Sequence, residues 1–179
     1  MSTWFVLMSV FAAVNPARVA ASLAATQRQE RAWPLAVGSV VAASIVVLLG
    51  SAANAILEFL DITDETWRIA AGVIAVLAGA RHLALRAASP LPPLIAPAHA
   101  LAPVAFPLLL GPEVVVLALL YGATEPLGRL ITASFLAFAA VIAWGRADDG
   151  PVNRGIVRLV AALLIAAGIA LVVAGIRDV

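Results

Sequence analysis

Residues 72–81 read GVIAVLAGAR, and residues 168–177 read GIALVVAGIR. Five of the ten aligned positions are identical: Gly72 with Gly168, Val76 with Val172, Ala78 with Ala174, Gly79 with Gly175, and Arg81 with Arg177. The offset is 96 residues. The same offset carries Asn15 onto Gly111 and Pro16 onto Pro112. Apolar helices rich in Ala and Val match one another by chance, so the identities alone say little. A proline break that falls at the same offset turns them into the signature of a duplication.

The surrounding composition says what is duplicated. Of the 179 residues, 64% are hydrophobic and only 12% are charged. Mean hydropathy is +1.08. Soluble domains are about 45–50% apolar and about 25% charged, so both a water-soluble globule and a disordered chain are excluded. A membrane barrel would alternate polar and apolar residues in segments of about ten, and this chain does not. Backbone polar groups in lipid must be satisfied within their own segment, so the apolar runs are read as helices. The fold class is therefore all-α, a polytopic membrane protein.

Six apolar runs are expected to span, each near the roughly 20 residues a span needs. They cover about Ser2–Leu23, Trp33–Leu57, Glu65–Leu85, Leu101–Tyr121, Pro126–Trp144 and Arg154–Ile176. Residues 1–86 then form a first three-helix repeat and residues 101–179 a second. Between them lies a connector, 87–100, rich in proline (Pro90, Pro92, Pro93 and Pro97) and followed by Pro103. Proline removes an N–H and clashes with the preceding turn, so this stretch cannot be one helix. Three spans per unit is an odd number, so the second unit inserts upside down. The expected architecture is a 3+3 inverted repeat, as in many secondary transporters, whose sites lie near the midplane at the repeat interface. Gly72 and Gly79, like Gly168 and Gly175, lie seven apart on one helix face. They read as packing residues that let helices approach closely.

All eleven basic residues are Arg. Arg28, Arg31, Arg81, Arg86, Arg146, Arg154 and Arg158 flank one set of loops, against Arg68, Arg129 and Arg177 on the other. The richer side is expected to be cytoplasmic, with both termini outside. The acidic residues Glu58, Asp61, Asp64 and Glu65 then face outward and contribute little to orientation. Trp33, Trp67 and Trp144 fall near span ends, as interfacial anchors do. The start, Met1 to Ala13, lacks a basic segment and reads as a first span, not a cleaved leader. The net charge of +1 gives no reason to expect a nucleic acid partner. Without Cys, and with two His and one Tyr, no catalytic residue, metal site or cofactor is assigned, and the chain is not expected to be an enzyme.

The two proline breaks are the candidate site. Pro16 cannot donate to the Ala12 carbonyl and pushes Asn15 out of helical geometry. Asn is a favoured N-cap and Pro suits the first helical position, so Asn15-Pro16 should start a half-helix inside the membrane. Gly111-Pro112 reads the same way in the fourth run, where Gly tolerates a non-helical turn and Pro107 loosens the chain one turn earlier. In an inverted repeat these N-termini approach the midplane from opposite sides. Each presents free N–H groups and about half a positive charge, a setting for an anionic group. The alternative is a pair of simple kinks.

Two charges lie in these segments, Arg18 and Glu113. A charge at mid-membrane costs about 2.5–3.5 kcal/mol on insertion scales, and such residues pair or line a pathway. Three readings stay open. Arg18 and Glu113 form a structural ion pair; Glu113 is a protonatable coupling group; or Arg18 snorkels to the interface while Glu113 faces a wet cavity. His82 and His99 fall near the cytoplasmic ends of the third and fourth runs and read as solvated. Ser9, Ser44 and Ser51 could line a pathway or simply pack.

Val14-Asn15-Pro16 in the first run, and FPLLLGP from Phe106 to Pro112, resemble the MarC family of integral membrane proteins. LDITDETWRIAAGVIAVLAG, Leu60 to Gly79, and the C-terminal stretch ending AGIR are similar to that family too. The resemblance covers most of the chain. It implies six spans with both termini outside, in a bacterial plasma (inner) membrane, and transport of small neutral amino acids, as some members are described. This chain departs from the family at Glu113, where members tend to have Gly, and at Ala17-Arg18, where uncharged residues and another Pro are usual.

The expected function is secondary transport or export of a small zwitterionic or anionic, amino-acid-like solute by alternating access. Asn15, Pro16, Arg18, Gly111, Pro112 and Glu113 are the substrate and pathway residues, with proton coupling open. One rival is a non-transporting subunit or regulator of an envelope or lipid-related complex. A weaker one is a lipid-phosphate flippase. Partners consistent with the sequence are the bilayer, the solute, and a homodimer or a membrane-protein partner.

Overall fold

The computed structural model describes residues 1–24, 28–84, 101–145, 147 and 150–178. Among these the chain is all-helical, with no strand. The helices are α1 (Thr3–Val14), α2 (Pro16–Ser22), α3 (Arg28–Phe59), α4 (Asp64–Ala84), α5 (Pro112–Thr124), α6 (Leu127–Trp144) and α7 (Pro151–Asp178). A π-helical segment, Leu101–Leu109, precedes α5. The whole of the connector 87–100, including His99, lies outside the described residues, as do Arg86 beside it and Arg146.

Among the described residues, five helices are long and apolar enough to cross a membrane: Thr3–Ser22 across its break, Glu30–Phe59, Asp64–Ala84, Leu127–Trp144 and Pro151–Asp178. The fourth expected run is not one helix of spanning length. Its α-helical part, α5, has only 13 residues, or about 20 Å at 1.5 Å per residue, short of a hydrocarbon core of about 30 Å. The preceding π turns arise around Pro107, which has no N–H to give; Leu110 N–H donates to Ala105, five residues back, at 3.0 Å. The Phe106–Pro107 peptide is cis.

Mid-helix residues that face outward are apolar: Val40 and Leu48 on α3, Val73 and Leu77 on α4, Phe135 on α6, Leu159 and Ile169 on α7. A helix in water would present polar residues there, so this is the surface of a protein solvated by lipid. The Ser44 and Ser51 side chains also face outward and bond carbonyls of their own helix, at 2.9 and 2.8 Å. They do not line an interior pathway. The core holds small residues on facing helices, among them Ala12, Ala42, Ala71, Ala75, Ala137 and Ala161. With no hydrophobic drive between helices in lipid, close backbone approach and van der Waals packing hold the bundle together. Gly50 of α3 and Gly122 of α5 are in such contact that a side chain on Gly122 would overlap the Gly50 backbone.

α4 and α7 pair along their length and carry the clearest symmetry. Gly72 faces Gly168 and Val172, while Gly168 faces Gly72 and Val76. Gly79 faces Ala161 and Ile165, while Gly175 faces Glu65 and Ile69. Each contact maps onto another when 96 is added to one partner and subtracted from the other. Partner numbers fall as the first number rises, so the helices are antiparallel and their two-fold axis runs across them. On that axis lies an outward-facing apolar groove of about 280 Å³, lined by Val73, Val76 and Leu77 with their images Ile169, Val172 and Val173. Gly72, Gly79, Gly168 and Gly175 all lie in this helix–helix contact.

The helix ends sort by the same antiparallel logic. Asn15 meets Val157 and Ala17 meets Asn153, so α1 starts where α7 ends. Met1 reaches Glu125 at the end of α5, and Arg68 in the first turns of α4 pairs with Asp178. Both ends of the described chain therefore lie at one end of the bundle.

Candidate functional site: two helix breaks and a buried ionic cluster

Asn15 ends α1 and starts α2. Its φ of 46° places it in the left-handed region, where Asn is among the few residues other than Gly to be found. Its N–H still donates to Phe11, at 3.0 Å. Its side chain works in two directions: Oδ1 accepts from the Arg18 N–H at 3.1 Å, and Nδ2 donates to the Val157 carbonyl at 3.3 Å. One turn away, Asn153 of α7 donates to the Ala17 carbonyl at 3.1 Å and accepts from Trp144 Nε1 at 2.9 Å. Two asparagines thus tie the break to α7. Asn153 is a residue the sequence reading missed; a buried Asn near the start of a span was the available signal. Pro16 opens α2, where its missing N–H costs nothing.

Gly111 and Pro112 start α5 as expected, but the reason for glycine is different. Gly111 has φ −69° and ψ 162°, extended geometry open to any residue. What it lacks is room. A Cβ there would lie 2.5 Å from Oε1 and 2.6 Å from Oε2 of Glu113. The Glu113 carboxylate folds back over the helix start, where the free N–H groups and the helix dipole favour negative charge. The anion at this N-terminus is the chain's own.

Arg18 and Glu113, one from each break, are brought together. Arg18 Nη1 lies 3.6 Å from Glu113 Oε1, with the two side chains 20% and 5% exposed. Arg18 therefore does not snorkel away. The structure adds a third member. His82 Nε2 lies 3.7 Å from Glu113 Oε1 and in contact with Arg18 Nη1, and its side chain is 7% exposed. The expectation of a solvated His82 is wrong: α4 passes close enough to α2 and α5 to bury its imidazole between their charges. Among the described residues, the buried His82 Nδ1 has no hydrogen-bond partner. Arg31, expected as a loop-side topology residue, is also buried and donates to the Ala24 carbonyl beyond α2 at 2.9 Å.

The cluster has no counterpart under the offset of 96. Arg18, His82 and Glu113 map to Val114, Asp178 and Ala17, and Asp178 is spent on Arg68. The opposite half of the bundle holds neutral pairs instead. Ser9, fully buried, sits 2.6 Å from the Tyr121 hydroxyl and donates to Phe5 or Val6. Trp67 donates to the Val116 carbonyl at 3.3 Å, so it is a core contact more than an interfacial anchor. Beyond them, Glu125 binds the Met1 ammonium at 2.6 Å and pairs with Arg129. Burial pushes the Glu125 carboxyl upward, but hydrogen bonds and charge from Met1 and Arg129 outweigh it and hold the group below its ordinary value.

Among the described residues no group of His, Asp and Glu could hold a metal ion. The chain matches no family model, no curated protein and no solved structure. What the chemistry offers is a buried, three-member charge network at the meeting point of two helix breaks. It can hold a charged solute group in exchange for one of its own members.

Proposed function

We propose that this chain is a secondary transporter of a small zwitterionic or anionic solute of amino-acid type. One observation carries the reading: a cation from the first break and a carboxylate from the second meet in a buried site, 3.6 Å apart. Such a pair is costly to place in lipid. Yet it is chemically a receptor for a zwitterion, whose carboxylate would take Arg18 and whose ammonium would take Glu113. The solute replaces the internal pair, so the charges are never left bare.

The full six-span, 3+3 inverted repeat belongs to this proposal, with the π-helical segment and α5 together making the sixth crossing. The antiparallel two-fold relation of α4 and α7 supports it. So do two helix starts at Pro16 and Pro112, 96 residues apart. Rocking one repeat against the other would expose the cluster to each side in turn. Kinship with the MarC family, a bacterial inner-membrane location and external termini are part of the same reading. They rest on the motifs at Val14–Pro16 and Phe106–Pro112 and on the Arg distribution.

The test is flux into proteoliposomes, with a panel of neutral amino acids and small organic anions under an imposed pH gradient. Saturable uptake of at least one solute, lost in Arg18→Ala, is the expected result. Absence of flux for the whole panel, together with a stoichiometric membrane partner in a pulldown, would favour the role of a complex subunit.

A further inference from the structure

The contact between Arg18 and His82 bears on the state of the imidazole. A guanidinium has only donors. The Arg18 Nη1 that touches His82 Nε2 must therefore donate, Nε2 must accept, and the ring must be neutral with its hydrogen on Nδ1. That Nδ1–H is a buried donor without a partner among the described residues. Glu113 Oε1, at 3.7 Å, faces the same Nε2. In the neutral ring it meets a lone pair there. In the protonated ring it would meet an N–H.

Protonation reverses both relations at once. An imidazolium repels Arg18 and offers Nε2–H to Glu113, which Arg18 now holds. We propose that His82 is the proton-carrying residue of the site. A proton taken up by its ring draws Glu113 from Arg18 to His82 and releases the Arg18 guanidinium to bind a carboxylate from solution. Among the described residues, the charged groups around the ring are Arg18 from α2, Glu113 from α5 and Arg81 beside it on α4. Arg158 of α7 lies about one turn beyond the Ala161 that faces Gly79, with its side chain exposed. Glu113 is the acid among them, so it is where an imidazolium would turn. Proton and anion then bind with mutual reinforcement, because coupling between two sites is reciprocal. Resting on the transport reading above, this makes the solute an anion moved together with a proton.

The experiment uses the full chain in nanodiscs. Nitrogen NMR of labelled histidine, in a His99→Gln background to leave one signal, is expected to show the Nδ1–H tautomer near about pH 8 and imidazolium at acid pH. Over the same range the phenylglyoxal reactivity of Arg18 relative to that of the exposed Arg158, located by mass spectrometry, should rise about tenfold, the ratio cancelling the reagent's own slowing in acid. His82→Gln keeps a polar group without a titration, and should hold that reactivity flat. Sodium acetate, as the carboxylate probe, should raise the pH at which His82 titrates. An Nε2–H tautomer, a reactivity rise that survives in His82→Gln, or a titration unmoved by acetate would each overturn the proposal. Flux is measured separately. A working switch with no flux of any solute leaves this inference standing and removes the transport reading, and flux without the switch does the reverse.

Discussion

Gly72 and Gly168 sit back to back between α4 and α7: a methyl group on either would come within 2.6 Å of the carbonyl oxygen of the other. Backbone cannot retreat from such a contact without moving a helix. Gly72→Ala and Gly168→Ala should therefore each destabilise the protein by about 1–3 kcal/mol, as overpacking does. Because the two contacts are images of each other, the losses should be similar. Unfolding in detergent by SDS titration measures both.

Removing one member of the buried pair should cost more than removing both. Glu113→Ala leaves Arg18 uncompensated, and breaking a buried pair typically costs about 3–5 kcal/mol. The double variant Arg18→Ala with Glu113→Ala should recover part of that loss. Simple addition of the two single effects in a double-mutant cycle would show that the groups do not interact.

Gly111→Ala should act through Glu113 and not through the backbone. The residue has ordinary extended geometry, but a Cβ would lie 2.5 Å from the carboxylate. The expected effect is a loss of about 1–3 kcal/mol from overpacking, largely absent in a Glu113→Ala background. An equal loss in both backgrounds would place the constraint in the chain at Gly111 itself.

Asn15 combines a left-handed φ with two side-chain bonds, and substitutions separate these. Asn15→Ala should lose about 1–2 kcal/mol for the cap, with a further cost for a φ of 46°. Asn15→Gly should keep the geometry and lose the bonds. Asn15→Asp should keep the cap to Arg18 N–H and lose the donor to Val157. Thermal unfolding should rank Ala as the most damaging of the three.

Glu125 predicts an acid limb. Its carboxyl is held below its ordinary value in the folded protein despite burial. A depressed folded value means that its contribution is present above the unfolded carboxylate value, near about 4.3, and is lost as pH falls through the folded one. Melting temperatures from neutral pH into the acid range should fall less steeply for Glu125→Gln than for the parent. Identical slopes would show that the carboxylate contributes nothing.

Much of the fold is legible in the chain because lipid imposes simple rules. Long apolar runs must be helices, and the starts at Pro16 and Pro112 follow from proline's missing N–H. The glycines seven apart on α4 and α7 all lie in the contact between those two helices, Gly72 against Gly168, Gly79 against Ala161 and Ile165, and Gly175 against Glu65 and Ile69. The fourth run was harder. Its apolar composition is continuous, but Pro107 and Gly111-Pro112 divide it into π-helical and short α-helical pieces, and composition carries no record of hydrogen-bond register.

The candidate site was half visible. Arg18 and Glu113 stand out because a charge inside an apolar run has few innocent explanations. His82 does not stand out, since one turn from the end of a helix a histidine can be wet or buried. Which of these holds depends on where α2 and α5 cross α4. Asn153 and Arg31 were hidden for the same reason. Local chemistry, the cost of a charge in lipid and the missing N–H of proline are written residue by residue. Partnership is not. It arises only when helices distant in the chain pack, and here that packing joins residues 18, 82 and 113 into one charge network and gives Gly111 its purpose.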